Sequence, residues 1–340
     1  MKKILITGGA GFIGSHTAVS LVESGFEPVI LDNFSNSDVS VISSLEGILG
    51  KSVTWYEADC LDRVAVRKIF ADNKFDGAIH FAASKAVGES VANPLKYYRN
   101  NVESLVILLE AMREFGVQDL VFSSSCTVYG QPEVLPVSES TPRQEAESPY
   151  GNTKKICEDI LRDFIKSGEK SRIISLRYFN PIGAYPSSEI GELPKGVPAN
   201  LVPFITQTAV GIRQRLTVFG DDYDTPDGTC VRDYIHVLDL ADAHVKSIQY
   251  LFRQQENFYD VFNVGTGNGN TVLEVIKAFE KVSGVKLNYH VGPRRDGDVV
   301  KTWANTDKIK RLLGWTPKYS LEDSMRDAWN WQVKLGRTVQ

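Results

Sequence analysis

The chain has 340 residues, 42% hydrophobic and 24% charged, with a formal net charge of −4. That length suits one large domain or two unequal ones, and the charge offers no basic surface to nucleic acid or an anionic membrane. No run approaches the ~18 apolar residues of a membrane span. The four cysteines are scattered, and the five histidines form no close pair, which argues against a zinc site or a disulfide framework.

Residues 2–7, KKILIT, run directly into glycines. They lack the apolar h-region of a secretory leader and read as a strand; with the spread of cysteines, the expected location is the reducing cytoplasm. Further strands are predicted at 27–32, 52–58, 77–83, 119–125 and 172–178, where apolarity is nearly continuous, as in strands buried on both faces. Helices are predicted at 12–24, 63–73, 95–115 and 149–167. Strands alternating with helices imply right-handed βαβ units and a doubly wound, Rossmann-like parallel sheet. Beyond residue 180 the rhythm changes to a Pro- and Gly-rich loop, with helices near 201–213 and 272–282. The segment 233–251 reads as a strand end and a helix returning to the first domain. The expected organisation is a dinucleotide-binding domain over 1–180, joined by 233–265, and a smaller α/β domain over 181–232 and 266–340.

TGGAGFIGSH places Gly8, Gly11 and Gly14 at three-residue spacing between a strand and a helix. Such a loop brings backbone N–H groups and a helix N-terminus against a pyrophosphate. Asp32 ends the next strand, where an acid hydrogen-bonds ribose hydroxyls and repels a 2′-phosphate; NAD is thus favoured over NADP. Asp59, Phe81 and Lys85 follow later strands, on the crevice edge of a parallel sheet. Asp59 is a candidate for the adenine end and Phe81 for the cofactor wall.

SPYGNTKK sets Tyr150 and Lys154 four residues apart, on one face if helical. Ser125 closes a strand 25 residues earlier. Together they would set a hydroxyl, a phenol and an ammonium around one substrate oxygen. A free tyrosine has a pKa of about 10, and a base near neutrality needs a shift worth about 4 kcal/mol. A lysine charge about 4 Å away supplies roughly that at an effective dielectric of 20. Lys155, about 100° around the helix, faces solvent. In the second half, Asn180 and Asn200 suit either turns or phosphate and sugar contacts. Phe219 suits core or a base face. Arg232 and Arg295 suit a pyrophosphate clamp or surface pairs with Asp233 and Asp296.

The glycine loop, SSSCTVYG, SPYGNTK, HFAASKAVGES, YYRNNV, RYFNPIGAYPS, KGVPANLVPFI, DGTCVRDYIHVLDLADAH and PRRDGDV resemble, in order and spacing, the UDP-sugar 4-epimerase branch of the extended short-chain dehydrogenase/reductase family. The resemblance covers nearly the whole chain. It implies reversible C4 epimerisation of a UDP-hexose through a 4-keto sugar with tightly bound NAD, and a homodimer formed through the helices near 95–115 and 149–167. It implies Tyr150 as base, Lys154 on the nicotinamide ribose and lowering the tyrosine's pKa, and Ser125 on the sugar 4-oxygen. It places Phe12, Ile13, Asp32, Asn33, Ser37, Asp59, Cys60, Phe81, Lys85, Asn100 and Phe179 on NAD, and Lys85, Asn180, Asn200, Phe219, Arg232 and Arg295 on the UDP-sugar. Thr302 falls where some relatives have tyrosine; a small residue there implies room for a C2 N-acetyl group. A nucleotide-sugar 4,6-dehydratase would need an Asp-Glu pair after the serine, where this chain has Cys126-Thr127.

Overall fold

The computed structural model describes residues 1–295 and 298–338. Seven strands form one sheet: β1 (Lys2–Thr7), β2 (Phe26–Asp32), β3 (Thr54–Glu57), β4 (Gly77–His80), β5 (Asp119–Ser123), β6 (Arg172–Tyr178) and β7 (Phe258–Val264). Their order is β7-β6-β5-β4-β1-β2-β3, with every neighbouring pair parallel. The chain winds outward from β1 to β3, then crosses back to β4. The loops after β1 and β4 therefore diverge and open a crevice at the strands' C-terminal ends.

Six helices cover the sheet: α1 (Phe12–Glu23), α2 (Ser40–Leu49), α3 (Arg63–Asp72), α4 (Ser104–Glu114), α5 (Pro149–Lys166) and α6 (Val237–Leu251). Alternation along β1 assigns them to two faces. Ile4 and Ile6 pack with Ala18, Leu45 and Val245, whereas Leu5 packs with Phe70, Leu108 and Leu161. Helices α1, α2 and α6 thus share one face, and α3, α4 and α5 the other. Full burial of each such side chain contributes roughly 1.5–3 kcal/mol.

Three details depart from the sequence pattern. β3 is an edge strand with Trp55 38% exposed, so it is not sandwiched like its neighbours. The helix expected over 95–115 is interrupted: Pro94–Tyr98 and α4 flank a π-helical turn at Arg99–Glu103. Helices at Ser40–Leu49, Val87–Ala92, Asp307–Leu313 and Leu321–Thr338 were not anticipated.

The remaining residues build a smaller core. Leu216–Phe219 pairs in parallel with Tyr289–Gly292. Val231–Arg232 lies between Asn270–Thr271 and Lys301–Thr302. Ile205, Val218, Phe279 and Met325 are buried together beneath these strands. Helix Val272–Ser283 starts with a capping box in which Thr271 and Glu274 each accept the other's backbone N–H. Among the described residues, no helix is long and apolar enough to cross a membrane.

Candidate active site

The crevice begins at the glycine loop. Gly8 has φ +68°, and a Cβ there would come within 2.8 Å of the Ala82 nitrogen; one on Gly14 would meet the Gly8 oxygen at 2.3 Å. Only glycine lets the loop fold this tightly between β1 and β4. Gly11 caps α1 without a side-chain hydrogen bond, and the first turn carries no acid. Those N–H groups and the positive end of the helix dipole suit a pyrophosphate.

Asp32 is buried and already organises this cradle. Its Oδ2 accepts from Ala10 N at 3.0 Å; Oδ1 accepts from Phe34 N at 2.9 Å and Ser37 Oγ at 2.8 Å. Asn33 donates to Asp59 at 2.9 Å across the β2 and β3 ends. Cys60 is buried below them, and burial pushes its thiol pKa up. The Phe81 ring packs on His244 at 4.6 Å. Lys85 pairs with Glu192 at 3.1 Å, and Asn200 donates to that same carboxylate at 2.6 Å. Asn100 sits in the π-turn and donates to Asn101 at 3.0 Å. Phe179, just past β6, is buried with Val128, Val137 and Ala304.

Tyr150 is the second residue of α5, behind Ser148 as N-cap and Pro149 as the first helical residue. This start aims the tyrosine at the end of β5. Ser125 Oγ accepts from Thr127 N at 3.2 Å, and the Ser125 hydroxyl works against the upward shift of the Tyr150 phenol. Lys154 is 3% exposed; its Nζ donates to the Ser123 carbonyl at 2.6 Å and lies 5.9 Å from the Tyr150 ring centre. Burial lowers the Lys154 pKa to about 8.

The electrostatics differ from the expected depression of the phenol. Burial is the largest influence on Tyr150 and pushes its pKa up; the neighbouring Tyr178 adds to this, and the Ser125 hydrogen bond opposes it. Within the protein alone the lysine does not outweigh desolvation.

Several residues escaped the sequence reading. Asn101 ties Ser84 to Thr153 of α5 through three hydrogen bonds of 2.8–3.1 Å. Tyr178 shares a 2.5 Å hydrogen bond with Ser123. Glu158, one turn beyond Lys154, accepts from Ser124 at 2.7 Å and from Arg177 at 2.8 and 2.7 Å. The four-residue spacing 150-154-158 was the available signal, but a glutamate on a charged helix ordinarily faces water.

On the other side of the crevice, Asn180 N donates to the Asp233 carbonyl at 2.9 Å. Phe219 is 43% exposed, with the Arg295 guanidinium 5.6 Å from its ring centre, so it is not core. Arg232 does not pair with Asp233, the partner considered from sequence. Arg232 and Arg295 both reach Asp298, Arg232 at 3.5 Å and Arg295 at 2.5 Å. Asp233 is instead buried and accepts backbone N–H groups from Thr266, Gly267 and Ala304. Asp296 lies outside the described residues. Thr302 is buried and registers against Arg232.

A Rossmann-ordered sheet with a glycine cradle, a strand-end serine and a Tyr-x-x-x-Lys helix defines an extended short-chain dehydrogenase/reductase. The family model described as GDP-mannose 4,6 dehydratase matches residues 5–328. UDP-glucose 4-epimerase of Bacillus subtilis (strain 168) is 53% identical over 329 residues, covering 97% of this chain and 96% of that protein. UDP-glucose 4-epimerase from Bifidobacterium longum, solved in complex with NAD+ and UDP, superimposes with a TM-score of 0.95 at 46% identity, covering 98% of each chain. The Stenotrophomonas maltophila enzyme, solved with bound NAD and formylated UDP-arabinopyranose, gives 0.96 at 45% identity, covering 99% of this chain and all of that one. The chain belongs to the UDP-glucose 4-epimerase family.

Proposed function

We propose that this protein interconverts UDP-glucose and UDP-galactose by reversible epimerisation at C4, in galactose metabolism. The observation that carries the reading is buried Tyr150 with Lys154 on the same face of α5, the Lys154 ammonium 5.9 Å from the Tyr150 ring centre and anchored on the Ser123 carbonyl two residues before Ser125. The cradle of Gly8, Gly11 and Gly14, the carboxylates of Asp32 and Asp59, and the Phe81 wall fit NAD. Phe12, Ile13, Asn33, Ser37, Cys60, Lys85, Asn100 and Phe179 complete its surroundings. Bound NAD supplies a hydride acceptor that later becomes the donor, and a positive charge that draws the raised phenol pKa back toward neutrality.

Tyr150 takes the 4-hydroxyl proton and later returns it; Ser125 holds the sugar 4-oxygen. Asn180, Asn200, Arg232, Arg295 and Phe219 hold the UDP. Anchoring at the nucleotide leaves the 4-keto sugar free to present its other face. Reaching UDP requires Arg232 and Arg295 to share their charge with Asp298, and Lys85 and Asn200 to share their hydrogen bonds with Glu192.

Incubation with UDP-galactose, with no electron acceptor added, should yield UDP-glucose. Absence of interconversion by wild type, or full turnover by Tyr150→Phe, would refute the reading. The Cys126-Thr127 pair after Ser125 supplies no carboxylate for water elimination, which disfavours 4,6-dehydration. UDP-glucuronate and UDP-xylose are the substrates to run as rivals.

The proposed range extends to UDP-N-acetylhexosamines, because Thr302 is small beside Arg232. Thr302→Tyr should lower N-acetyl turnover relative to plain-sugar turnover at least tenfold; an unchanged ratio would exclude a gating role. The domain division at about residue 180 and a homodimer through the helices of 95–115 and 149–167 belong to the same proposal. Light scattering tests the dimer. Four free cysteines suit a cytoplasmic setting.

A further inference from the structure

Helix α5 presents a third residue to the end of β5. Tyr150, Lys154 and Glu158 recur every four residues and share one face. The three serines after Phe122 meet all three. Ser125 lowers the proton affinity of the Tyr150 phenol, the Ser123 carbonyl accepts from Lys154, and the Ser124 hydroxyl donates to Glu158.

Glu158 is 1% exposed, and its carboxylate is fixed from two further sides. Arg177 of β6 binds it through both Nε and Nη2, and Arg143 approaches at 3.5 Å. Arg177 in turn donates to Tyr129 at 3.0 Å, and Tyr129 donates to Asn263 of β7 at 2.6 Å. The carboxylate therefore cannot rotate away from the catalytic face.

We propose that Glu158 is a positioning residue for catalysis: held by Ser124 and Arg177, it keeps the Lys154 ammonium charged and in register with Tyr150. The inference rests on the C4-epimerase reading of the same site. The groups facing Lys154 are few. Among the described residues they are His80 from β4, the Phe122 ring at 5.0 Å and the Ser123 carbonyl from β5, and Tyr150, Cys157 and Glu158 from α5, while Tyr178 of β6 bonds the Ser123 hydroxyl. Burial keeps His80 neutral, with its pKa lowered to about 3, and raises Cys157 to about 12. Tyr178 is raised to about 12, and burial keeps Tyr150 protonated as well. Arg177 and Arg143 pair with Glu158 and offset part of its charge. Cys157 and then Glu158 oppose the desolvation of Lys154, and Glu158 is the carboxylate of the two. Without it, the ammonium would lose its proton at a lower pH.

The test is the pH dependence of Lys154 in the full-length protein with its cofactor. In 13C-lysine-labelled protein, the Lys154 ε-methylene signal is assigned by its absence in Lys154→Met and titrated in wild type and Glu158→Gln. The titration should move down by about one pH unit or more in the variant. The alkaline fall of kcat should move with it, while KM for UDP-galactose stays within about twofold. Glu158→Gln leaves Arg177 buried without a counter-charge, so Glu158→Gln/Arg177→Met provides a folded alternative, in which the lost arginine charge makes the downward shift smaller than in the single variant. Superimposable titrations and pH profiles, with only a uniform loss of activity, would overturn the proposal and leave Glu158 as packing. A wild type that does not interconvert the sugars would instead overturn the epimerase reading, whatever the lysine titration shows.

Discussion

The two sides of the crevice are built differently. Tyr150, Lys154 and Ser125 are nearly dry and project from a helix and a strand end that the seven-stranded sheet holds rigidly. Phe219, Arg232, Arg295 and Asn200 project from strands of two to four residues or from loops, and they are partly or largely exposed. Rigid, desolvated groups suit proton transfer, where small displacements matter. Exposed ones suit a charged nucleotide that arrives from water. The contrast predicts that substitutions on the sheet side change kcat, and those on the other side change KM.

The largest expected effect is Tyr150→Phe, which should lower kcat by about 10²- to 10⁴-fold with KM nearly unchanged; a main effect on KM would erase the contrast. Next is Lys154→Met, which should lower kcat less than Tyr150→Phe does, yet stabilise the fold. The lysine pKa falls from 10.5 to about 8 on folding, so below pH 8 both states carry the proton and the folded state bears the whole burial penalty. Between about 8 and 10.5 the unfolded chain holds more protons, and wild-type stability rises with pH. Urea unfolding should therefore favour the variant by about 2–3 kcal/mol at pH 7 and converge above pH 10.5. Equal stability at pH 7 would show that the lysine carries no such penalty.

Removing one charged clamp, Arg295→Ala, should raise KM by about 10- to 100-fold. Its kcat should change far less, as steady-state kinetics would show. Smallest is Phe219→Ala. With the ring 43% exposed, stability should change by no more than about 0.5 kcal/mol, and KM should rise only a few-fold. A severely destabilised Phe219→Ala would place that ring in the core after all.

The same contrast decides what the sequence revealed. Strands β1, β2, β4, β5 and β6 were legible because burial on both faces writes continuous apolar runs. The glycine loop was legible because its conformation admits no Cβ. The π-turn at Arg99–Glu103 was not, since one extra residue per turn barely disturbs helical periodicity. Nor was Asp298, which binds two arginines that lie far apart in sequence. Glu158 and Arg177 went unmarked because pairing through the fold leaves no trace in local pattern. Helix Leu321–Thr338 was missed because its basic and acidic residues outweigh its apolar stripe.

The last strand of the sheet carries a consequence for biosynthesis. Arg172 of β6 pairs with Phe258 of β7, and the intervening chain must be made first. Until residue 264 leaves the ribosome, β6 presents an unsatisfied edge to any other strand nearby. Helix α6, which covers one face beside α1, arrives equally late. A nascent chain stopped near residue 180 therefore exposes both a sticky edge and half of an apolar face, and chaperone engagement should peak in that interval.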